Sequence, residues 1–380
     1  AFQYRHNAPY AAFCRRRGVR PEAVDGWRDV PAVPTVAFKE IALVAGDPRE
    51  AEAVFLTSGT TRGPERRGRH HVLDLSLYHA SLLPNFAAHL LPEGEEMPLL
   101  SLVPPADQMA GSSLAHMIDV VIDRLGAEGS GWFAAVGSGI DVDALDGALR
   151  RFETDDRPVC LLGTALAFAH WLDALERRDL RYELPDGSRL MDTGGFKGRR
   201  REVPPERLRT RYRERLGVPP DRCVNEYGMT EMLSQFYDTV LRELVLGADT
   251  VGSTSGAAPA PSPARGAAPP TTSEAPGRSA AARSARQPRP RRKRAPPWVR
   301  TTVVDPDTLE PLPYGETGLL RHHDLANLFS VSAVQTADLG REVEDGFIVL
   351  GRATGAQPRG CSIAMDLLLE AVEREEEGRP

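Results

Sequence analysis

A 44-residue segment without one large hydrophobic side chain divides the sequence. Residues 254–297 hold 12 alanines, 10 prolines and nine basic residues against one acid, Glu274, and contain no Val, Ile, Leu, Met, Phe, Tyr or Trp. Such a segment cannot bury enough apolar surface to offset the conformational entropy that ordering it would cost. It therefore predicts a disordered Ala/Pro/Arg-rich insertion, and the folded core must come from the residues on either side.

The positive charge of the insertion offsets much of the negative charge of the remaining residues. It carries +8 while all 380 residues together carry −6, which leaves −14 on the other 336 residues. The basic run 288–294 could attract nucleic acid or anionic lipid. A solvated end of the insertion is the favoured interpretation, because no aromatic residues interleave with these charges and the body is acidic. No nucleic-acid partner is expected.

The same composition excludes two further classes of protein. No apolar run approaches the roughly 18 residues that a membrane-spanning helix needs, so an integral membrane protein is not expected. The four cysteines, Cys14, Cys160, Cys223 and Cys361, are scattered and show no CxxC spacing. Scattered cysteines favour reduced thiols and a cytoplasmic protein over a disulfide framework or a zinc site.

Short apolar runs that end in polar or glycine turns alternate with helical apolar spacing, which predicts an α/β fold. Before the insertion, strands are predicted within 51–57, 99–105, 159–164 and 189–195, and helices within 72–91 and 113–125. After it, VRTTVVDP, TGLLRHHDL and GFIVLGR read as strands separated by turns. The expected organisation is a body over 1–253, the insertion 254–297, a β-rich lobe over 298–355 and a short C-terminal piece over 356–380.

The first candidate motif is TSGTTRGP at residues 57–64, directly after a predicted strand. Small and hydroxyl-bearing residues let successive backbone N–H groups approach a polyphosphate closely, and the side-chain oxygens add hydrogen bonds. The run lacks the GK[ST] ending of a Walker A loop, and an ordinary polar loop is the alternative. His70 and His71 follow as candidate acyl-pocket or catalytic bases, with a polar helix start as an equal alternative.

The second and third motifs lie on either side of the insertion. In NEYGMTE at residues 225–231, an aromatic ring could stack on a base, a hydroxyl could contact phosphate and a carboxylate could bind Mg²⁺. In TADLG at residues 336–340, Asp338 at a strand end could accept both hydroxyls of a ribose, and GRATG follows at 351–355. Each motif alone is also consistent with a structural loop, and Asp338 with a turn.

The order of these motifs resembles the core motifs of the adenylate-forming superfamily, which includes acyl-CoA synthetases, luciferases and peptide-synthetase adenylation domains. The length, together with RGCSIAMD at residues 359–366, is most similar to the acyl-protein synthetase branch, the long-chain-fatty-acid–luciferin-component ligases. The resemblance covers nearly the whole chain apart from the insertion. It implies the large adenylate-forming α/β domain with a β-rich sub-lobe and a truncated C-terminal lid.

The resemblance also implies a reaction and its partners. A carboxylic acid, in this branch a fatty acid, would attack the α-phosphate of ATP in the presence of Mg²⁺ to give acyl adenylate and pyrophosphate. The acyl group would then pass to an enzyme cysteine and on to a partner reductase, with an acyl-donating transferase as a further partner.

Site residues are carried over from the superfamily by position. The β- and γ-phosphates would contact Thr57, Ser58, Gly59, Thr60 and Thr61. Tyr227 and Gly228 would lie beside adenine, and Gly194 and Gly195 would form a glycine turn after Asp192 that lines the adenine and acyl pocket. Thr230 would contact the α-phosphate, Glu231 would bind Mg²⁺, and Asp338 and Arg352 would hold the ribose and phosphate. Cys361 resembles the acyl-accepting cysteine of the branch, a role that suits a nucleophilic thiolate.

Two departures from the superfamily pattern keep alternatives open. The phosphate loop usually ends in lysine, but that position holds Glu65 with Arg66 beside it, so Glu65 is expected to point away from the triphosphate or activity to be weak. Only Lys39, Lys197 and Lys293 are present and 25 residues follow Gly355, so the full lid and its lysine are expected to be absent. The alternatives are a phenylacetate–CoA ligase-like aryl- or acyl-CoA ligase, and a degenerate, non-catalytic acyl- or nucleotide-binding relative.

Overall fold

The structure, a computed structural model, describes residues 1–57, 67–194, 203–247, 291–353 and 364–370. The helices of the described part are α1 (Phe2–His6), α2 (Ala8–Arg16), α3 (Leu75–Leu90), α4 (Ser113–Leu125), α5 (Val142–Thr154), α6 (Ala165–Arg177), α7 (Pro205–Leu216) and α8 (Val240–Leu246). Residues 364–370 are also helical. Short 3₁₀ turns connect several of these elements.

The strands before the insertion are β1 (Val33–Pro34), β2 (Ala53–Leu56), β3 (Arg69–Val72), β4 (Leu99–Ser101), β5 (Gly131–Trp132), β6 (Ala134–Ala135), β7 (Gly139–Ile140), β8 (Cys160–Thr164), β9 (Arg189–Thr193), β10 (Cys223–Tyr227) and β11 (Phe236–Asp238). Strand β12 (Lys293–Arg294) lies within the last residues of the predicted insertion, and β13 (Val299–Val304), β14 (Thr317–Asp324), β15 (Ala333–Val343) and β16 (Gly346–Arg352) follow it.

One 12-stranded sheet runs through the described part, in the order β13-β14-β15-β16-β12-β11-β10-β9-β8-β4-β5, with β1 paired to β15. The half formed by β5, β4, β8, β9 and β10 is parallel, and the chain returns between these strands through helices. From β10 to β13 the successive strands in this order are antiparallel, and the added β1 pairs parallel with β15. The α/β class predicted from the alternation of apolar runs is confirmed.

Local sequence explains why these elements form where they do. Helix α4 begins after Ser112, whose hydroxyl accepts a hydrogen bond from the Ala115 N–H, and it buries Ile118 and Val121 on one face. Helix α3 begins after Asp74, whose carboxylate accepts from the backbone N–H groups of its first turn. The alternative that His70 and His71 start a helix is therefore wrong, because both residues belong to β3 and the helix begins at Leu75.

Two apolar cores cover the two faces of the parallel half. One packs α3, α4 and α8 against one face, around residues such as Phe86 and Ile118, and the other packs α5, α6 and α7 against the opposite face, around Trp171. Strands covered on both faces read as continuous apolar runs, which is why VCLLGT was recognisable from sequence. A third core joins α2, the antiparallel strands and the helical residues 364–370.

The last residues of the predicted insertion are part of the central sheet. Lys293 and Arg294 form β12, which pairs with β11 on one side and, through Lys293, with Phe347 of β16 on the other. The prediction of disorder over 254–297 is therefore wrong for residues 291–297, which include this strand. The interpretation of the basic run as solvated is wrong for residues 291–294, because Arg292 and Lys293 are buried. The division into a body and a β-rich lobe remains a prediction.

Candidate functional site

The glycine turn at Gly194 and the motif NEYGMTE lie at the carboxyl ends of the parallel strands β9 and β10, and TADLG lies on the antiparallel strand β15. Ligands of open α/β sheets bind at this edge, because the strand ends leave polar backbone groups and loops facing a common crevice. Thr164, Thr193 and Tyr227 are the last residues of β8, β9 and β10 and therefore share this edge. Thr57, the first residue of the predicted phosphate loop, follows β2, which pairs with β3 in a separate two-stranded sheet.

Thr57 closes the base of the predicted phosphate loop. Its backbone N–H donates to the Gly68 carbonyl at 2.9 Å, and its hydroxyl oxygen accepts from the Gly68 N–H at 2.8 Å. The Arg67 guanidinium donates to the carbonyls of Thr57 and Leu56 at 2.7 and 3.2 Å. The two ends of the loop are thus held together across the β2–β3 pair. Ser58, Gly59, Thr60, Thr61, Glu65 and Arg66 lie outside the described residues.

Gly194 begins the second predicted turn, directly after β9. Its φ of +70° falls in the left-handed region, which favours glycine because a Cβ there is strained. Gly195 lies outside the described residues. Asp192, two residues before Gly194, is buried, and its Oδ2 accepts from the Tyr212 hydroxyl at 3.1 Å. Burial raises the pKa of the Asp192 carboxyl.

Tyr227, Asp338 and Arg352 meet at the junction of the parallel and antiparallel halves. The Tyr227 hydroxyl donates to Oδ2 of Asp338 at 2.8 Å. Asp338 on β15 is directly opposite Arg352 on β16. Asp338 was expected at a strand end or in a turn, but it lies inside β15, immediately before the irregularity in register at Leu339 and Gly340. That irregularity interrupts regular pairing beside Asp338.

The Tyr227 ring is held by an aromatic cluster. Its centroid lies 5.7 Å from Phe236, 5.9 Å from His322 and 6.1 Å from Phe347. Desolvation in this cluster and the Asp338 carboxylate raise the pKa of the Tyr227 phenol well above its ordinary value, so the hydroxyl remains a donor. The ring is thereby fixed in place while its hydroxyl is engaged by Asp338.

Gly228 is required by its neighbour Glu226. The Glu226 carboxylate is buried and accepts a hydrogen bond from the Thr193 hydroxyl at the end of β9. A Cβ added to Gly228 would lie 2.2 Å from Glu226 Oε1, so any larger residue would displace this carboxylate. Glu226 and Thr193 couple the ends of β9 and β10, and sequence reasoning missed both.

Thr230 and Glu231 are held through their backbone carbonyls. His70 of β3 hydrogen-bonds the Thr230 carbonyl through Nδ1 at 2.7 Å, and the Asn327 amide donates to the Glu231 carbonyl at 2.8 Å. His70 is buried, and burial lowers its pKa to about 4. It is therefore neutral at pH 7, with Nδ1 as the N–H donor that a carbonyl partner requires. Because His70 lies two residues after Gly68, it links the base of the predicted phosphate loop to Thr230.

Three of the four cysteines belong to the described residues. Cys14, Cys160 and Cys223 are buried and free. Burial raises the pKa of the Cys160 thiol to about 12, as expected for a cysteine packed inside a strand. Cys361 lies outside the described residues.

Among the described residues, no cluster of three or more His, Cys, Asp or Glu side chains is arranged to hold a metal ion. Within the same ranges, no helix has both the length and the apolar character needed to cross a bilayer.

Comparison with known proteins found relatives in sequence and in fold. No protein-family model matches the chain. The long-chain-fatty-acid–luciferin-component ligase of Vibrio harveyi is 21% identical across 96% of this chain and 84% of that protein. The enzyme of the same name from Aliivibrio fischeri is 32% identical over 83 residues, which are 20% of this chain and 22% of that one.

Solved structures show the same architecture. An open conformation of 2-hydroxyisobutyryl-CoA ligase, in complex with 2-HIB-AMP and CoA, matches with a TM-score of 0.60 and 14% identity over 92% of this chain. Its postadenylation state matches with a TM-score of 0.58. The chain spans 66% and 65% of these two structures, just under two thirds of the ligase. The chain has the adenylate-forming, acyl-CoA synthetase-like fold, and over nearly its whole length it resembles the long-chain-fatty-acid–luciferin-component ligases.

Proposed function

We propose that this protein is an ATP-dependent acid–thiol ligase that activates a long-chain fatty acid as its acyl adenylate and transfers the acyl group to Cys361. The observation that carries the proposal is the hydrogen bond of Tyr227 to Asp338, 111 residues further along the chain, at a position directly opposite Arg352. Tyr227 leads into the loop that contains Thr230 and Glu231. The similarity to the Vibrio harveyi ligase supports the fatty-acid substrate.

The first step joins the acid to AMP. A carboxylate oxygen of the acid attacks the α-phosphorus of ATP, the bond from that phosphorus to the bridging oxygen breaks, and pyrophosphate leaves with the electron pair. In this proposal the Thr230 hydroxyl contacts the α-phosphate, and Thr57 to Thr61 hold the β- and γ-phosphates. Positioned donors are effective in such a step because they stabilise charge that moves onto phosphate oxygens.

The residues at the junction fit a nucleoside. Asp338 uses Oδ2 for Tyr227, and no described residue donates to its Oδ1, which is therefore available to a ribose hydroxyl. The fixed Tyr227 ring offers a flat apolar face for adenine. Arg352 is exposed on the strand opposite Asp338, where a guanidinium can reach phosphate or ribose oxygens.

Glu231 is the proposed ligand of Mg²⁺, whose preferred ligands are carboxylate, water and phosphate oxygens. One protein carboxylate fits this ion, because Mg²⁺ in nucleotide sites is commonly held by one or two carboxylates together with the phosphates. When bound, the ion neutralises charge on the triphosphate. His70 and Asn327 hold the backbone that carries Thr230 and Glu231.

The second step transfers the acyl group to sulfur. The Cys361 thiolate attacks the acyl carbonyl carbon, the bond from that carbon to the phosphate oxygen breaks, and AMP leaves. A thioester is then a suitable donor for a partner reductase, the proposed final acceptor, while a transferase would supply the acid.

Pyrophosphate exchange into ATP tests adenylation directly. Purified protein, ATP, Mg²⁺ and labelled pyrophosphate are incubated with a panel of fatty, short-chain and aryl acids. We expect exchange that depends on a fatty acid, and hydroxamate formation when hydroxylamine is added. No exchange and no hydroxamate with any acid would refute the proposal and support the degenerate relative.

The acceptor is tested with labelled tetradecanoic acid. We expect wild-type protein to acquire label that hydroxylamine removes, and Cys361→Ser protein to lose that label while it retains pyrophosphate exchange. Cys14→Ser is the control, because the Cys14 thiol is buried and its pKa is raised by burial. Persistent hydroxylamine-sensitive labelling of Cys361→Ser protein would remove Cys361 from the mechanism.

A CoA ligase is the second candidate function. It is favoured by the fold match to 2-hydroxyisobutyryl-CoA ligase over 92% of this chain. Release of acyl-CoA on addition of CoA, without labelling of the protein, would favour this candidate over transfer to Cys361.

A further inference from the structure

Lys293 is the one buried lysine in the described part of a chain that otherwise relies on arginine for positive charge. The sequence has 47 basic residues, of which only Lys39, Lys197 and Lys293 are lysines. Lys293 lies on β12 and is 6% exposed, whereas Lys39 is exposed. A buried ammonium is costly unless it is fully paired, so its partners define what it does.

The Lys293 ammonium contacts three oxygens, one for each of its N–H groups. Nζ donates to the Asn225 backbone carbonyl at 2.5 Å and to Asn225 Oδ1 at 2.6 Å, and it lies 3.1 Å from Asp238 Oδ1. An ammonium carries three donors on one nitrogen, so its hydrogen-bonding capacity is used completely. A planar guanidinium spreads its donors over a wider flat fork, so it does not reproduce three N–H groups that diverge from a single nitrogen.

Asn225, the first residue of NEYGMTE, hydrogen-bonds side chains through its backbone at the point where the pairing of β10 with β11 stops, although it is still paired with Asp192 of β9. The pairs that join β10 to β11 are Glu226 with Tyr237 and Tyr227 with Phe236, one residue further along. The Asn225 N–H donates to Asp238 Oδ2 at 3.2 Å, and its carbonyl accepts from Lys293. Lys293 and Asp238 thereby replace the missing ladder partners.

The contacts continue from Asn225 to the second glycine turn. Because Oδ1 of Asn225 accepts from Lys293, its amide nitrogen faces Asp192 and donates to Asp192 Oδ1 at 2.7 Å. Asp192 is two residues before Gly194. The Lys293 ammonium therefore orients Asn225, and through it the ends of β9 and β10, which lead into the predicted glycine turn at Gly194 and into NEYGMTE.

Asp238 provides the negative charge that this arrangement needs. Burial opposes its ionisation, but Lys293 and Arg291 together lower the pKa of the Asp238 carboxyl below its ordinary value. The Arg291 guanidinium lies 2.8 Å from Asp238 Oδ2 and also donates to the Cys223 carbonyl at 2.7 Å. The Asp238 carboxylate therefore accommodates a positive charge at position 293. The arrangement of the N–H groups on that charged side chain determines which hydrogen bonds it makes to Asn225.

We propose that Lys293 is a positioning residue of the nucleotide site, which holds β10 so that Tyr227, Thr230 and Glu231 reach the ligand, and that arginine cannot replace it. The catalytic part of this inference rests on the proposed adenylating function. Lys293 itself touches neither nucleotide nor acid in this arrangement, because it is enclosed by Asn225 and Asp238.

The test compares Lys293→Arg and Lys293→Met with Lys39→Arg and Lys39→Met, the matched variants of the exposed lysine. Three quantities are measured: the thermal midpoint, hydrogen exchange of the amides in residues 223–231, and KM for ATP and kcat in pyrophosphate exchange. We expect folded Lys293→Arg protein with amide exchange at 223–231 at least tenfold faster than wild type and KM for ATP raised about tenfold or more. Both Lys39 variants should match wild type.

The outcomes separate this inference from the proposed function. If wild-type protein shows no pyrophosphate exchange, the proposed function fails, and amide exchange of the Lys293 variants still tests the positioning role. If Lys293→Arg does not fold, Lys293→Met must show the faster exchange at 223–231. A folded Lys293 variant whose amide exchange at 223–231 and KM for ATP equal those of wild type would overturn the inference. Failure of both variants to fold would also overturn it, because Lys293 would then be a residue needed for stability in general.

Discussion

The Tyr227 hydroxyl donates a 2.8 Å hydrogen bond to Oδ2 of Asp338, 111 residues further along the chain. The two residues belong to motifs separated by the low-complexity insertion, and the pairing of β15 with β16 places Arg352 opposite the same aspartate. The candidate nucleotide site is therefore built across the junction of the parallel and antiparallel halves of the sheet.

Tyr227→Phe should weaken nucleotide binding without unfolding the protein. The change removes one hydrogen bond to a carboxylate within the protein, and such bonds contribute about 1.5–3 kcal/mol to stability. Because Asp338 then loses the contact that fixes its orientation, we expect KM for ATP to rise and the free energy of unfolding to fall by at most about that amount. Tyr314→Phe is the control, because Tyr314 is 66% exposed. An unchanged KM for ATP in Tyr227→Phe would show that the hydrogen bond from Tyr227 to Asp338 does not contribute to nucleotide binding.

Arg189→Met should destabilise the fold strongly. Arg189 is 1% exposed, donates to the Leu90 carbonyl at the end of α3 at 2.8 Å and pairs with Glu95. Removing one partner of a buried pair costs about 3–5 kcal/mol, because the other partner is left uncompensated. Urea unfolding measures the change. Arg178→Met, at an exposed pair with Asp143, should change stability by less than about 1 kcal/mol.

Removal of the insertion should leave the fold intact. Arg292, just after the undescribed residues 248–290, pairs at 2.5 Å with Glu243 of α8, just before them, and both side chains are largely buried. The two ends therefore lie close together. Replacing 249–289 by eight Gly/Ser residues should preserve the thermal midpoint, and shorter loop closure should add about 1 kcal/mol. A drop of several degrees would show that the segment contributes structure, contrary to the sequence prediction.

Stability should fall as the pH is lowered from 7 to 5. Burial lowers the pKa values of His70, His89 and His323 to about 4 and of His322 to about 3. Between those values and 6.5 the unfolded chain binds more protons at these sites, so the free energy of unfolding decreases with falling pH, by about 1.4 kcal/mol per pH unit for each histidine. Asp324 acts oppositely, because burial raises its pKa to about 6 and protonation favours the folded state.

His89→Phe tests this pH dependence, and His170→Gln is its control. His89 stacks on Tyr237 in the core, while His170 is exposed. Urea unfolding at pH 7, 6 and 5 should give a shallower dependence for His89→Phe and the wild-type dependence for His170→Gln. Identical slopes in all three proteins would mean that His89 is protonated equally in the folded and unfolded states.

Sequence by itself determined the elements and the order of the motifs. The apolar runs of β4, β8 and β9 and the spacing of α4 were recognisable because burial on one or two faces leaves a local periodic pattern. The predicted phosphate loop and NEYGMTE could be picked out as candidates, because the chemistry they suit needs hydroxyl and glycine residues close together in the chain.

Only the tertiary structure decided which distant residues meet. The basic run before Trp298 looked solvated, because charge patterning is read without partners, yet Lys293 is balanced by Asp238, 55 residues earlier. His70 and Thr230 lie 160 residues apart and meet through a backbone carbonyl that no side-chain pattern reveals. Local propensity reflects neighbours in the chain, whereas these contacts depend on strand order and register across a 12-stranded sheet.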